Sequence, residues 1–322
     1  MSVPNSSAPP FSPRRRATIA IVVLTLLIAA CGKDTSTPSA SPATSPTGSG
    51  TLLLGGNPRA PATDQSPPKG TNGLAFREGV LWIADLNGGQ ILVADPANGA
   101  ILARYGRDQN VNAQPDDLAV APDGSVWWTG FDIGKVASIG TDGRSTDIAA
   151  MRPGANAIAF SPAGKAYVTM AVTGDGLWEL DPANPQSSRE VTATLGNVNA
   201  FAFSPDGQLY GPGFAEQVGR VVQIDTTTGA ATEVATGFAF PTALRFDTKG
   251  VAYVLSAIGG KVDRVDLMTG AVTPFVTVPT KRVDNMMWGP DGNLYVSAFD
   301  EPIISVFSPA GDLVRTLTIG QR

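Results

Sequence analysis

Six positions, spaced roughly 42 residues apart, carry polar side chains that could bind a cation or a polar ligand. Five of the six are an amide or a carboxylate, and such oxygens suit Ca²⁺, which takes about six to eight of them and tolerates irregular geometry. Asn and Asp also cap loops by accepting bonds from backbone N–H groups. The positions are Asn72, Asp116, Asn156, Asn199, Thr242 and Asp284. The spacing alone fits a binding site and a set of caps equally well.

Further charged residues are expected on the same face. Acids follow the second predicted strand of several repeats, at Asp85, Asp132, Asp175, Glu216, Asp300 and Glu301. Two arginines, Arg152 and Arg282, also belong there. They would hold an anionic ligand or form ion pairs with an acid such as Asp284.

A repeat of about 42 residues must position these side chains. Each repeat has a short apolar strand, a turn and the pattern Gly-x-x-aromatic, as in Gly79 to Trp82. Three of the turns read Pro-Asp-Gly, in which proline presets φ and glycine supplies a positive φ. The aromatic residues, which we expect in the core, are Trp82, Trp127, Tyr167, Tyr210, Tyr253 and Tyr295.

Four antiparallel strands in each of six repeats predict an all-β, six-bladed propeller of four-stranded blades. The apolar first strands would crowd around the axis, and the six polar positions would lie at the mouth of its channel. The last repeat contains four strands by itself, so closure need not borrow one, although residues 51–54 could add a strand to a blade edge. A β-solenoid or sandwich is the rival architecture, but solenoid rungs are usually shorter.

The composition excludes several classes of function. With 23 basic and 28 acidic residues the formal net charge is −5, which argues against nucleic acid or an anionic membrane surface as a partner. Histidine is absent from the whole sequence. Its absence excludes Ser-His-Asp and Cys-His catalysis and every His-ligated zinc or haem site.

The N-terminus is typical of a bacterial lipoprotein signal. Three arginines, at 14–16, precede an apolar run at 17–30 that is short for a transmembrane helix. Cys31, the one cysteine of the chain, follows Ile-Ala-Ala as in a lipobox. We expect lipid on Cys31, whereas in an uncleaved anchor helix the cysteine would be incidental. Without the three arginines the mature chain has 20 basic and 28 acidic residues, a net charge of −8.

The residues after Cys31 are rich in Ser, Thr and Pro, which cannot bury enough surface to offset chain entropy. We therefore predict a signal peptide over 1–30, a lipidated tether over 31–69 and the propeller over 70–322. The protein would lie in the cell envelope, outside the cytoplasm, and contact the membrane only through the lipid on Cys31. We expect a monomer.

The unit x-Asn-Gly-Leu-Ala-Phe, a turn and Gly-x-Leu-Tyr-Val, as in residues 72–83 and 284–296, resembles known propellers. It is similar to the senescence-marker-protein/gluconolactonase family and to the NHL-repeat and strictosidine-synthase-like proteins, over roughly residues 70–322. In the gluconolactonase family a Glu, two Asn and an Asp hold a divalent cation at the channel mouth, and the Asp is the base that opens a lactone. The two asparagines match Asn156 and Asn199. Asn72 stands at the glutamate position and Thr242 at that of the aspartate.

The resemblance implies a site for Ca²⁺ or another divalent cation, held by Asn72, Asn156, Asn199 and Asp284. Asp284 and Asp116 would supply the missing charge, and they are the candidate catalytic residues. The virginiamycin B lyases, another propeller family, depend on histidine, so their chemistry cannot operate here.

Two functions follow from these residues. The first is a binding module that holds a small molecule or a protein partner at the channel mouth, with or without a cation. The second is a metal-dependent lactone or ester hydrolase. Since Thr242 cannot act as a base, the sequence favours binding.

Overall fold

The protein is a six-bladed β-propeller. The structure, a computed structural model, describes residues 66–214 and 218–321. These residues form six antiparallel sheets of four strands, each built from consecutive strands, which confirms the predicted all-β propeller. The described part contains no helix long and apolar enough to cross a membrane. The predicted signal peptide, Cys31, the possible edge strand at 51–54 and Glu216 lie outside the described residues.

Each blade starts with the strand nearest the axis, here called the inner strand, and ends with its outermost strand. The strands of blades 1 to 3 are β1 (Leu74–Arg77), β2 (Val80–Asp85), β3 (Gln90–Ala94), β4 (Ile101–Tyr105), β5 (Pro115–Val120), β6 (Val126–Gly130), β7 (Lys135–Ile139), β8 (Ser145–Ala150), β9 (Ala155–Phe160), β10 (Ala166–Met170), β11 (Gly176–Asp181) and β12 (Asn184–Thr192). Those of blades 4 to 6 are β13 (Ala202–Phe203), β14 (Leu209–Gly213), β15 (Gly219–Ile224), β16 (Ala231–Phe238), β17 (Pro241–Phe246), β18 (Ala252–Ser256), β19 (Lys261–Val265), β20 (Val272–Thr277), β21 (Val283–Trp288), β22 (Leu294–Ala298), β23 (Ile303–Phe307) and β24 (Leu313–Thr318). A 3-10 turn at Arg107–Gln109 lies between blades 1 and 2.

The turn between the first and second strands is the same in every blade. Its glycine has φ between 76° and 84°, a conformation that costs energy for any residue with a Cβ. The glycines are Gly79, Gly124, Gly164, Gly207, Gly250 and Gly292. The repeat read from the sequence is therefore a structural repeat.

The repeated aromatic residues join neighbouring blades. In five cases the ring on the second strand packs edge-on against an aromatic ring on the inner strand of the next blade. The pairs are Trp127–Phe160, Tyr167–Phe203, Tyr210–Phe246, Tyr253–Trp288 and Tyr295–Phe76, with ring centroids 4.9–6.0 Å apart. Blade 2 offers Val120 instead, and Trp82 stacks on Tyr105 of its own blade at 5.5 Å. Such pairs add about 0.5–1.5 kcal/mol each beyond the burial of their area.

The ring of blades closes between the first and the last. The Thr71 N–H donates to the carbonyl oxygen of Ala298 at 2.8 Å, and its hydroxyl donates to that of Ile303 at 2.8 Å. Blade 6 draws all four strands from the last repeat, as predicted. Residues 66–69 also contact blade 1, since Arg104 donates to the Ser66 carbonyl at 2.7 Å.

Blade 4 departs from the pattern, because its inner strand has two residues in place of the four predicted at 200–203. Ala200 instead forms a parallel bridge with Ala243 of blade 5. The Ala200 N–H donates to the Thr242 carbonyl at 3.0 Å, and the Leu244 N–H donates to the Ala200 carbonyl at 2.8 Å. Backbone hydrogen bonds therefore link the inner strands of blades 4 and 5 directly.

Candidate functional site

The six repeated polar positions form the channel mouth, which is defined here as Asn72, Asp116, Asn156, Asn199, Thr242 and Asp284. Four of them lie in inner strands, each where the register with the second strand shifts. Such β-bulges leave residues out of the ladder and re-aim their side chains, and they are common beside functional sites. The four are Asp116, Asn156, Thr242 and Asp284.

Hydroxyl groups on the second strands hold three of these bulges. The Thr129 Oγ1 accepts the Asp117 N–H at 3.1 Å, and the Thr169 Oγ1 accepts the Ala157 N–H at 3.2 Å. In blade 6 the Ser297 Oγ accepts the Asn285 N–H at 2.9 Å. Each hydroxyl lies two residues after the repeated aromatic, so the sequence itself contains a signal for these residues.

Blades 1, 2 and 3 are connected at the mouth. The Asn72 amide donates to an oxygen of Asp116, and Asn156 also hydrogen-bonds the Asp116 carboxyl. The side-chain oxygens of Asn72 and Asn156 are buried and have no hydrogen-bond partner, and the same holds for the Thr242 hydroxyl. These residues are only 2%, 6% and 2% exposed. The mouth therefore has oxygens that are free to accept hydrogen bonds. Because a buried oxygen without a partner costs free energy, a donor that reaches these oxygens would be bound favourably.

The remaining predicted residues have other contacts. The Asn199 side-chain oxygen accepts the N–H of the next residue at 2.8 Å, which is a cap. Asp132 accepts the Gln114 N–H at 2.8 Å, and Asp175 accepts N–H groups of residues 195–197. Asp85 bonds Gln90 and the Lys69 N–H. Loop closure therefore accounts for the contacts of these acids.

The two arginines form ion pairs. Arg282 lies 2.7 Å from Asp300 of the same blade, rather than beside Asp284 as the sequence suggested. Arg152 lies 2.6 Å from Glu190.

The carboxyl groups of the mouth have strongly shifted pKa values. Burial raises the pKa of Asp116 well above its ordinary value, and the nearby charges of Asp284 and Asp117 raise it further. Burial and the Asp117 charge raise the pKa of Asp284 to about 7, while Arg245 opposes the shift. Among the described residues no three acidic or cysteine side chains gather as a metal centre, so a cation here would also depend on amide and hydroxyl oxygens.

A buried ionic cluster lies directly below the mouth. We call Asp117, Arg245 and Asn285 the plug. Arg245 and Asp117 lie 3.6 Å apart, and Asn285 bridges them, accepting from Arg245 at 3.0 Å and donating to Asp117 at 3.1 Å. Burial raises the pKa of Asp117 and lowers that of Arg245, and their mutual attraction opposes both shifts.

The plug was not predicted, although the sequence contains its signal. Arg245 occupies the inner-strand position at which four other repeats have alanine, at 75, 119, 159 and 202. An arginine among alanines that crowd the axis requires a buried counter-ion. Because Arg245 extends across the axis, a ligand bound at the mouth would lie above the plug, whose charged groups are already hydrogen-bonded to one another.

Comparisons with known proteins support the fold. A family model described as a repeat of unknown function (DUF6923) matches residues 128–246. No curated protein matches the chain.

The chain is similar to several solved propellers. A catalytically inactive histidine-to-alanine variant of virginiamycin B lyase from Staphylococcus aureus, solved with quinupristin, is 19% identical, with a TM-score of 0.58, over 80% of this chain and 87% of that one. A putative gluconolactonase is 15% identical with a TM-score of 0.61, over 77% and 90%. A chain of the nidogen/laminin complex is 14% identical with a TM-score of 0.60, over 77% and 92%. Identities this low show a common fold.

Proposed function

We propose that this propeller is a binding module that holds a small molecule or a protein partner at the channel mouth. The observation that carries the proposal is the set of three buried, unpartnered oxygens on Asn72, Asn156 and Thr242, beside two carboxyl groups. Folding leaves these acceptors unsatisfied, so a ligand with donors or positive charge would gain their full interaction. Related folds solved in the nidogen/laminin complex and with quinupristin are consistent with such a role.

A divalent cation such as Ca²⁺ fits the mouth as a cofactor. The unpartnered amide oxygens of Asn72 and Asn156 and the carboxylate of Asp284 are ligands of the kind that Ca²⁺ prefers. Asn199 also belongs to the proposed set, although its oxygen caps its own loop. Bound there, the cation would neutralise the acids and polarise a ligand carbonyl.

The proposed location follows from the sequence alone. Lipid on Cys31 would hold the propeller at a membrane outside the cytoplasm, through a tether and without contact between propeller and bilayer. A monomeric propeller on a tether would leave its channel mouth free for a partner.

The test is metal analysis of the purified full-length protein, followed by thermal melting with and without calcium. We expect bound metal or a calcium-dependent rise in Tm, and its loss in the double variant Asn156→Ala/Asn199→Ala. Asp206→Asn is the matched control, since Asp206 lies in a Pro-Asp-Gly turn on the opposite face. Retention of the full calcium shift in the double variant would exclude the cation site.

The second candidate is a metal-dependent lactone or ester hydrolase. The observation in its favour is the pKa of Asp284, raised to about 7, because a general base works best with a pKa near the working pH. Lyase chemistry has no such support: the histidine-to-alanine lyase is inactive, and this chain has no histidine.

A panel of aldonolactones tests the hydrolase directly. Calcium-dependent hydrolysis by the wild type, abolished by Asp284→Asn or by Asp116→Asn, would establish it. Hydrolysis that persists in both variants would contradict the choice of base. No hydrolysis with intact calcium binding would leave binding as the function.

A further inference from the structure

The unpartnered atoms of the mouth specify the chemistry of its ligand. The Asn72 and Asn156 amides already use N–H groups on Asp116, so the atoms left over are two carbonyl oxygens and the Thr242 hydroxyl. All three accept hydrogen bonds. A primary ammonium carries one positive charge and three N–H donors, which matches this set in number and in sign.

The plug leaves two carboxyl groups of the mouth available to such a ligand. Arg245 forms an ion pair with Asp117 at 3.6 Å. Asn285 accepts from Arg245 and donates to Asp117, so the Asp117 carboxylate has both a counter-charge and a hydrogen-bond donor. Asp116 and Asp284 have no cation of their own at hydrogen-bond distance among the described residues. Both carboxyl groups therefore lie on the side from which a ligand enters, with no cation of the protein beside them.

An apolar patch borders the mouth on blades 4 and 5. Phe240 lies two residues before Thr242, within about 7 Å along the chain. Its ring packs against Phe214 at 4.8 Å, and Ile258, which is 61% exposed, extends the patch from the next loop. The Ile258 N–H donates to the Ala239 carbonyl at 3.2 Å, which fixes that loop beside Phe240.

The backbone at Phe240 is strained. Its φ is +56°, a left-handed conformation that is a true outlier for a bulky residue. The equivalent residues of blades 3, 4 and 6 also have a positive φ, and they are Gly154, Asn197 and Arg282. Glycine and asparagine tolerate this conformation, whereas phenylalanine and arginine adopt it at a cost. Strain of this kind is common where a side chain contributes to a binding site, and Phe240 presents an aromatic ring beside the mouth.

We infer that the ligand of the channel mouth is a primary ammonium compound with an apolar body. The ammonium donates to Asn72, Asn156 and Thr242 between the Asp116 and Asp284 carboxyl groups, and the apolar body packs on Phe240 and Phe214. The inference rests on the proposed binding function and names the ligand class of that same site.

Calorimetric titration of the purified full-length protein tests the inference with three matched probes. Hexylammonium has the charge, the donors and the apolar chain; hexyltrimethylammonium lacks the donors, and 1-hexanol lacks the charge. We expect hexylammonium to bind at least about tenfold more tightly than either analogue, because unpaired buried acceptors reject ligands without donors. Equal or tighter binding of hexyltrimethylammonium would overturn the inference.

Two variants check the placement. Thr242→Val removes an unpartnered hydroxyl, so it should keep its Tm while hexylammonium binds about tenfold more weakly. Phe240→Gly relieves the left-handed φ and should weaken hexylammonium while leaving methylammonium unchanged. Asp206→Asn should bind as the wild type does. Unchanged hexylammonium affinity in both mouth variants would place the ligand elsewhere.

A parallel calcium titration separates this inference from the proposed function. Calcium binding without hexylammonium binding would overturn the ligand class and leave the site in place. The absence of both would overturn the site as well. Displacement of calcium by hexylammonium would support both.

Discussion

Arg245 and Asp117 come from the inner strands of blades 5 and 2 and lie 3.6 Å apart beneath the channel mouth. In a ring of six blades these two are opposite each other, so the pair connects the two halves of the propeller across its axis. Arg245 also donates to the Phe201 and Leu244 carbonyls at 3.1 and 3.0 Å. A single side chain thus ties blades 2, 4, 5 and 6 together.

Removing the arginine should destabilise the fold. Arg245→Met introduces the residue that blade 6 has at the equivalent position, Met287, and leaves Asp117 buried without its counter-charge. We predict a loss of about 3–5 kcal/mol in the free energy of unfolding by urea. The double variant Arg245→Met/Asp117→Asn should recover most of it. If the urea midpoint of Arg245→Met equals that of the wild type, the ion pair does not contribute to stability.

The hydroxyls that hold the bulges should matter more for stability than the hydroxyl at the mouth. Thr129→Val removes the acceptor of the Asp117 N–H and a donor to the Asn156 carbonyl. We predict a cost of about 2 kcal/mol, because both buried backbone groups lose a partner. Thr242→Val, which loses no bond, is the matched control in thermal melting. Equal effects of the two substitutions would contradict this distinction.

Stability should fall as the pH rises through the range of the mouth carboxyls. Burial and the Asp117 charge raise the pKa of Asp284 to about 7, so the folded state binds this proton more tightly than the unfolded chain does. The stabilisation is complete below about pH 4, the ordinary pKa of Asp, and is lost by about pH 7. In Tm measurements between pH 4 and 8, Asp284→Asn should flatten this decline. A wild-type slope in the variant would show that other groups cause it.

The anchor is tested by a substitution outside the described residues. Cys31→Ser removes the sulfur to which lipid would attach, so the protein should leave the membrane fraction. The Tm of the propeller should stay the same, since Cys31 belongs to the predicted tether. Membrane association that survives the substitution would favour an uncleaved apolar helix as the anchor.

The sequence predicted the architecture because each repeat is recognisable from a few residues that are close together in the chain. A positive φ at glycines such as Gly124 recurs in every blade, and the repeated aromatic is buried in five blades and partly buried, as Tyr210, in blade 4. Each repeat therefore predicts the others. It also predicted that the six polar positions converge on the axis, and the structure brings Asn72, Asp116, Asn156 and Asp284 within reach of one another.

The use of each side chain was less predictable. Asn199 caps its own loop and Asn156 does not, although both have the same residue type and register, because the bulge geometry differs between blades 3 and 4. The plug depends on contacts between Asp117, Arg245 and Asn285, which lie up to 168 residues apart. The spacing of residues along the chain does not encode such pairings. The one signal in the sequence is Arg245 itself, which occupies a position where four other repeats have alanine.

The most direct test of the account is a calorimetric titration of calcium and of hexylammonium into the wild type and into Asp284→Asn. The account predicts saturable binding to the wild type, mutual competition between the two cations, and weaker binding of both to the variant, because the mouth loses one of its two carboxyl groups. Undetectable binding of both cations to the wild type, or binding that Asp284→Asn leaves unchanged, would contradict the assignment of the channel mouth as the functional site.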